Sequence, residues 1–164
     1  MIRSMNKRLV HKQLILALEA THQSAVRAAE RAYNTATDNE NVAENKYDTL
    51  ALEASYLAQG QSQRVAECAM DVVAFQKLNI TAASSTSSVC LGALIALRDL
   101  DNNKKYIFLG PSAGGLKVQF AEKEIVVVTP GSPLGSAINH RAVGDEVSIA
   151  IGNKVMEYEI VMIY

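Results

Sequence analysis

Over the first eighty residues, apolar side chains recur at helical spacing. Leu14, Leu18, Ala25, Ala28 and Ala32 fall on one stripe of a first helix. Tyr47, Leu50, Ala54 and Leu57, followed by Val65, Cys68, Val72 and Phe75, fall on one stripe of a second. Between the stripes, the run Thr35-Ala36-Thr37-Asp38-Asn39-Glu40-Asn41 lacks large apolar residues and is rich in cap and turn formers. The pattern predicts helices over about 7–35 and 41–78, with Thr37 or Asp38 capping the second and a hairpin tip at about 36–44. Two long helices joined by a short turn pack antiparallel, here as a coiled coil. The steps of three and four break between Leu57 and Val65, with Gln61 inside the gap, which predicts a stutter in the supercoil.

Beyond residue 88 the pattern shortens to runs of β-branched residues separated by turn formers. Strands are predicted over 90–99, 105–109, 116–120, 124–129, 146–151 and 154–164, arranged as a small antiparallel sheet. Asp101-Asn102-Asn103, Gly110-Pro111, Ala113-Gly114-Gly115, Gly144-Asp145 and Gly152-Asn153 are the turns. Ser132 followed by Pro133 predicts one short helix through Ile138, with Ser at the cap and Pro at the first position. The fold class is therefore α+β.

Composition sharpens the division. All three prolines and eight of the nine glycines follow residue 88, whereas Gly60 stands alone among helix formers. The run Thr81–Ser88 is small and polar, so the chain divides into a hairpin over 1–80, a linker over 81–88 and a sheet domain over 89–164. A net charge of -1 argues against a general nucleic-acid or membrane binder, and no stretch is long and apolar enough to span a bilayer. Cys68 and Cys90 match neither a disulfide framework nor a zinc pattern, and suit a reducing cytoplasm. His11, His22 and His140 form no metal spacing.

Candidate chemistry concentrates at the hairpin tip. Asp38, Glu40, Glu44 and Asp48 surround a single base, Lys46. Glu44 and Asp48 are one helical turn apart, and Glu40 sits where the dipole of a helix beginning near residue 41 favours a carboxylate. The plain alternative is an acidic cap on a solvated loop. Arg27 and Arg31, one turn apart below the tip, are placed to meet RNA phosphate or a protein partner, unless they pair with Glu30 or across to the second helix. Lys7, Arg8, His11 and Lys12 form a basic cluster at the root, where a solvated face is the ordinary reading. Tyr47 and Tyr56 are candidates for base stacking, although Tyr47 falls on the seam.

The order of elements and several motifs resemble the Gre family of transcript cleavage factors. The residues that carry the resemblance are Gly92, Ile95, Leu97 and Asp99, then Tyr106, Phe108, Leu109 and Gly110. They continue through Ser132-Pro133-Leu134, Ala137-Ile138 and Gly144-Asp145 to Tyr158-Glu159-Ile160 and Ile163-Tyr164. Glu44-Asn45 matches the family's acidic tip, and Gly60 matches a glycine of its second helix. The resemblance implies an FKBP-like C-terminal domain and an accessory factor, not itself an enzyme, that binds RNA polymerase. It implies that the coiled-coil tip enters the secondary channel and that its acids help hold the polymerase's own Mg²⁺ during cleavage of backtracked RNA. The factor would have no cofactor of its own and no stably bound metal. Its partners would be RNA polymerase and nascent RNA, with no membrane and no sequence-specific DNA recognition. Ser132, Pro133 and Arg141 are the implied polymerase contacts in the sheet domain.

Three positions depart from the family pattern. Asn41 stands where the family's tip carries Asp, Ser136 where it carries a base, and His140 where it carries glycine. The first opens an alternative in which the chain binds the same channel without supporting cleavage, as a regulator or inhibitor. A reading of another class, peptidyl-prolyl isomerase, follows from the FKBP-like fold. It needs an aromatic pocket, for which the second half offers only Phe108 and Phe120 as phenylalanines.

Overall fold

The computed structural model describes residues 5–37, 49–80 and 88–164. The fold is α+β. Two long helices, α1 (Lys7–Thr37) and α2 (Thr49–Gln76), precede six strands. These are β1 (Leu94–Asp99), β2 (Lys104–Leu109), β3 (Lys117–Phe120), β4 (Lys123–Val128), β5 (Glu146–Ile151) and β6 (Lys154–Ile163), with α3 (Pro133–Ile138) between β4 and β5. Two compact units result, one of 1–15 with 74–164 and the other of 16–73.

Asn6 starts α1, its side-chain oxygen accepting from the backbone N–H groups of Arg8 and Leu9 at 3.1 and 3.2 Å. The helix runs past the break predicted at Thr35. Thr35 and Thr37 donate their hydroxyls to the carbonyls of Arg31 and Tyr33, each at 2.9 Å, so both continue α1. Thr37 is therefore not the cap of the second helix. The start expected for that helix near residue 41, residues 38–44 of the expected tip and the linker residues 81–87 lie outside the described residues.

The helices are antiparallel. His11 meets Phe75, while Glu19–Gln23 share a groove with Ala69–Val73, so partner numbers fall as residue numbers rise. On α1 the buried stripe is Val10, Leu14, Leu18, Ala25 and Ala32. On α2, Leu57 is 58% exposed, and the inward positions are Ala54, Ala58, Gln61, Val65, Cys68 and Val72. These step by four and three without interruption, and no stutter is present between Leu57 and Val65. A continuous heptad keeps the seam facing its partner, and that continuity places Ala58 inside and its larger neighbour outside.

The sheet runs in the order β3-β4-β2-β1-β6-β5. It is mixed, not purely antiparallel, because β2 and β4 pair in parallel, Tyr106 opposite Ile125 through Leu109 opposite Val128. The chain leaves β2 at Gly110, crosses to the edge as β3 and returns as β4 between β3 and β2. A second departure from plain alternation is a bulge. Ala96 faces Met162 while Leu97 faces Ile160, so Val161 is the extra residue. The bulge puts both Ile160 and Ile163 into one core.

One face of the sheet packs Ile95, Leu97, Ile107, Val147, Tyr158 and Ile160 against Ile138 of α3. The alternate residues of the central strands, Leu94, Phe108, Ile125 and Val127, are fully buried on the opposite face. There the Phe108 ring stacks on His11 and Phe75 from the helix roots, at 6.2 and 6.0 Å between centroids. Gly110 makes room for this packing, since a methyl group on it would lie 2.8 Å from both the Phe75 ring and Val127.

Candidate functional site

The four tip acids, Asp38, Glu40, Glu44 and Asp48, lie outside the described residues, as do Asn41 and Tyr47. Below them α1 presents Arg27 and Arg31 exposed, one turn apart. Neither makes an ion pair among the described residues, so the alternative of pairing with Glu30 or across to α2 is not seen there. Tyr56 is 66% exposed on α2. Cys68 is buried in the seam, whereas Cys90 is exposed.

The basic cluster at the root is not a uniform solvated face. Arg8 and Lys12 are exposed, but His11 turns inward, its Nε2 donating to the Phe75 carbonyl at 2.7 Å. That carbonyl belongs to the last turn of α2 and also accepts from the Leu78 N–H at 3.2 Å, so the imidazole adds a second donor to it. Desolvation lowers the Lys7 ammonium from its ordinary value, with a weaker opposing effect from Cys90.

The sheet domain holds the other predicted contacts. Ser132 is the cap of α3. Its Oγ accepts from the Gly135 N–H at 3.1 Å and donates to the Thr129 carbonyl at 2.7 Å. Pro133 is exposed at the first helical position, and Gly135 is required behind it, since a Cβ there would meet the Thr129 carbonyl oxygen at 1.8 Å. Arg141 is exposed, while its backbone carbonyl accepts from the Val89 N–H at 2.7 Å. His140, beyond the C-cap Asn139, has φ +63, a left-handed conformation that explains a glycine at this position in the family pattern.

Two surface features of the sheet domain were not legible in the sequence. The first is a carboxylate row. Glu146 lies directly opposite Glu159, and Arg98 bridges to Glu159 alone. Like charges opposite each other on a sheet are unfavourable, and one guanidinium only partly offsets them. With Asp99, Glu157 and Leu100 these residues line a cavity of about 310 Å³. The second is a groove of about 590 Å³ rimmed by Lys104, Lys105, Lys117 and Lys123. Its only sequence signal is that β2, β3 and β4 each begin with lysine. No cluster of His, Cys, Asp or Glu able to hold a metal occurs among the described residues, and none of their helices is long and apolar enough to cross a membrane.

Three solved structures are similar to the chain at low identity. GreA factor homolog 1 of Thermus thermophilus is 18% identical, with 92% of this chain and 94% of that chain covered and a TM-score of 0.38. The Gfh1 protein of Thermus aquaticus is 16% identical over 90% and 92%, with a TM-score of 0.41. A GreA/GreB elongation factor of Nitrosomonas europaea is 17% identical over 68% and 91%, with a TM-score of 0.36. No family model and no curated protein matches the chain.

Proposed function

We propose that the chain is an accessory factor of RNA polymerase, acting in the cytoplasm, that inserts its helical hairpin into the secondary channel and stimulates cleavage of backtracked RNA. The observation that carries the reading is where the Gre-like motif residues fall. Gly92 and Gly144 have φ +87 and +92, Gly110 sits under Phe75, and Ser132-Pro133 opens α3. Each occupies a position where the backbone or the packing demands that residue type. The motif thus coincides with the constraints of this fold and is not a chance match of composition.

On this reading Glu40 and Glu44, flanked by Asp38 and Asp48, supply carboxylate oxygens beside the polymerase's Mg²⁺. A two-metal site stabilises the attacking and leaving oxygens of the cleaved phosphodiester, and the chemistry stays with the polymerase. Arg27 and Arg31 lie on the arm wall, where guanidinium groups suit RNA phosphate or carboxylates of the channel. Pro133 and Arg141 form the exposed part of the polymerase contact, with Ser132 holding the turn that presents them. An isomerase reading is less well supported, because Phe108 is fully buried and Phe120 is 9% exposed. A non-cleaving regulator of the same channel is the second reading, favoured by Asn41 at the family's aspartate position.

The test is RNA cleavage in a stalled, backtracked elongation complex, with wild type beside a Glu40→Ala/Glu44→Ala double variant. Wild type is expected to cleave, and the variant to lose at least about tenfold in rate, about 1.4 kcal/mol of transition-state stabilisation. Competition with a channel-binding factor without cleavage would move the assignment to the regulator. Neither cleavage nor competition would overturn both.

A further inference from the structure

The strand registers set charged side chains in one line across the sheet. Lys104 pairs with Arg98, Arg98 with Glu159, and Glu159 with Glu146. Residues opposite each other in a ladder point to the same face, so these four stand together on β2, β1, β6 and β5. In the parallel register of β2 with β4, Lys123 is level with Lys104 and adds a further cation at that end. Cations therefore occupy one half of the line and carboxylates the other. The face is the one away from α3, because Leu97, next to Arg98, packs with Ile138 on the α3 side. The helix roots meet this face at Phe108, opposite Leu94, four residues or about 13 Å along the strands from the line.

Within one molecule this order is unfavourable. Lys104 stands beside Arg98 and Glu146 beside Glu159, and like charges directly opposite each other destabilise a sheet. The ion pair of Arg98 with Glu159 offsets part of this, whereas Lys104 and Glu146 are exposed and make no ion pair among the described residues. Exposed apolar side chains border the line. Met162, paired with Ala96, lies on one side of it. Val155, which alternates with Glu157 and Glu159, and Leu100 lie on the other.

We propose that this face pairs with the same face of a second copy of the chain in a weak isologous dimer. A two-fold axis parallel to the strands, between β1 and β6, reverses the line. It sets Lys104 against Glu146 of the second copy and Arg98 against Glu159 of the second copy, and each contact occurs twice. The charge order selects this occupant. A uniformly acidic or basic ligand would gain at one end of the line and lose at the other, whereas a second copy presents the reversed order by symmetry. Four strands about 4.8 Å apart make a patch about 14 Å wide, which falls short of the roughly 800 Å² per partner of a stable complex. The dimer is therefore weak and, being held by exposed charges, salt-sensitive. α3, with Ser132 and Pro133, lies on the other face, so the dimer leaves the proposed polymerase contact uncovered.

The test is sedimentation velocity of the full chain over a concentration series. Wild type is expected to dimerise with a Kd between about 10 µM and about 1 mM at low salt. Raising salt from about 50 mM to about 500 mM should weaken the dimer at least about tenfold. Lys104→Glu and Glu146→Lys each keep the Arg98–Glu159 pair and should each be monomeric alone. Mixed in equal amounts they should associate, because the mixed dimer again has an opposite charge at every contact. Lys154→Glu, the same change of charge off the line, should dimerise as wild type does. Thermal melts of each variant establish that it is folded. A chain monomeric up to about 1 mM, a dimer indifferent to Lys104→Glu and Glu146→Lys, or a mixture that stays monomeric would each overturn the proposal. None of these results bears on RNA cleavage, so the two readings fail separately.

Discussion

The two compact units are stabilised in different ways. Among the described residues between Leu16 and Val73 the buried side chains are Leu18, Ala25, Ala32 and Cys68, so the helices meet mostly through small groups there. The unit containing the sheet buries Phe75, Phe108, Leu94, Ile95, Leu97, Leu109, Ile125, Ile138 and Ile160 almost completely. Each buried CH₂ contributes about 0.8 kcal/mol, so an alanine seam contributes a small fraction of what a leucine or phenylalanine core does. The difference teaches that the arm depends on helix propensity and a continuous heptad, while the sheet unit depends on packing. The same type of substitution should therefore have opposite effects in the two regions.

The largest expected effect is Gly135→Ala. A methyl group 1.8 Å from the Thr129 carbonyl oxygen cannot be accommodated without moving the turn that opens α3. The substitution should destabilise the sheet unit by more than about 3 kcal/mol, measured by chemical denaturation. A loss below about 1 kcal/mol would mean that the turn before α3 is not packed as described. Phe75→Ala comes next, at about 3–5 kcal/mol, because it empties a fully buried site against Phe108 and Gly110. Amide exchange at Phe108 should rise with it, and unchanged protection would separate the helix roots from the sheet's stability.

In the arm the sign reverses. Gly60 lies inside α2 with open space where a Cβ would stand. Gly60→Ala should stabilise by about 1 kcal/mol, with slower amide exchange confined to α2. Destabilisation would show that a partner or neighbouring group approaches the bare backbone there. The smallest effect is pH dependence of the β1–β2 turn. The Asn103 backbone N–H donates to the Asp99 carboxylate at 2.8 Å and is the main cause that holds this carboxyl below its usual range. A folded pKa below the unfolded one makes the turn's support present at neutral pH and lost as pH falls through the folded value. Carboxyl NMR titration should find Asp99 low, with Asn103 amide protection falling along the same curve. An Asp99 that titrates at or above the free carboxyl value would remove this hydrogen bond from the account.

Much of the fold was legible because local chemistry sets it. Asp101-Asn102-Asn103, Gly144-Asp145 and Gly152-Asn153 are turns as read, and Ser132-Pro133 opens α3. The strand boundaries lie within a few residues of those expected. The seam was read correctly at Leu14, Leu18, Ala25 and Ala32 and incorrectly at Leu57. In an alanine-rich helix the largest apolar residue draws the eye, while the heptad selects Ala58. Of the candidate site, Arg27, Arg31, Pro133 and Arg141 are exposed as a contact surface requires. His11 is not part of a basic surface, because nothing in one helix reveals which carbonyl of another it will meet.

By itself the sequence determined the turns of the sheet domain and the Ser132 cap of α3, because these depend on backbone sterics within a few residues. It also determined the change from a helical first half to a β-rich second half. Tertiary structure alone decided the parallel pairing of β2 with β4, the bulge at Val161 that admits both Ile160 and Ile163, and the inward turn of His11. It also set Glu146 opposite Glu159 across β5 and β6, with Arg98 bridging to Glu159 from β1. These features join residues distant in the chain, and what selects among the pairings that local rules permit is the burial and hydrogen bonding of the assembled unit.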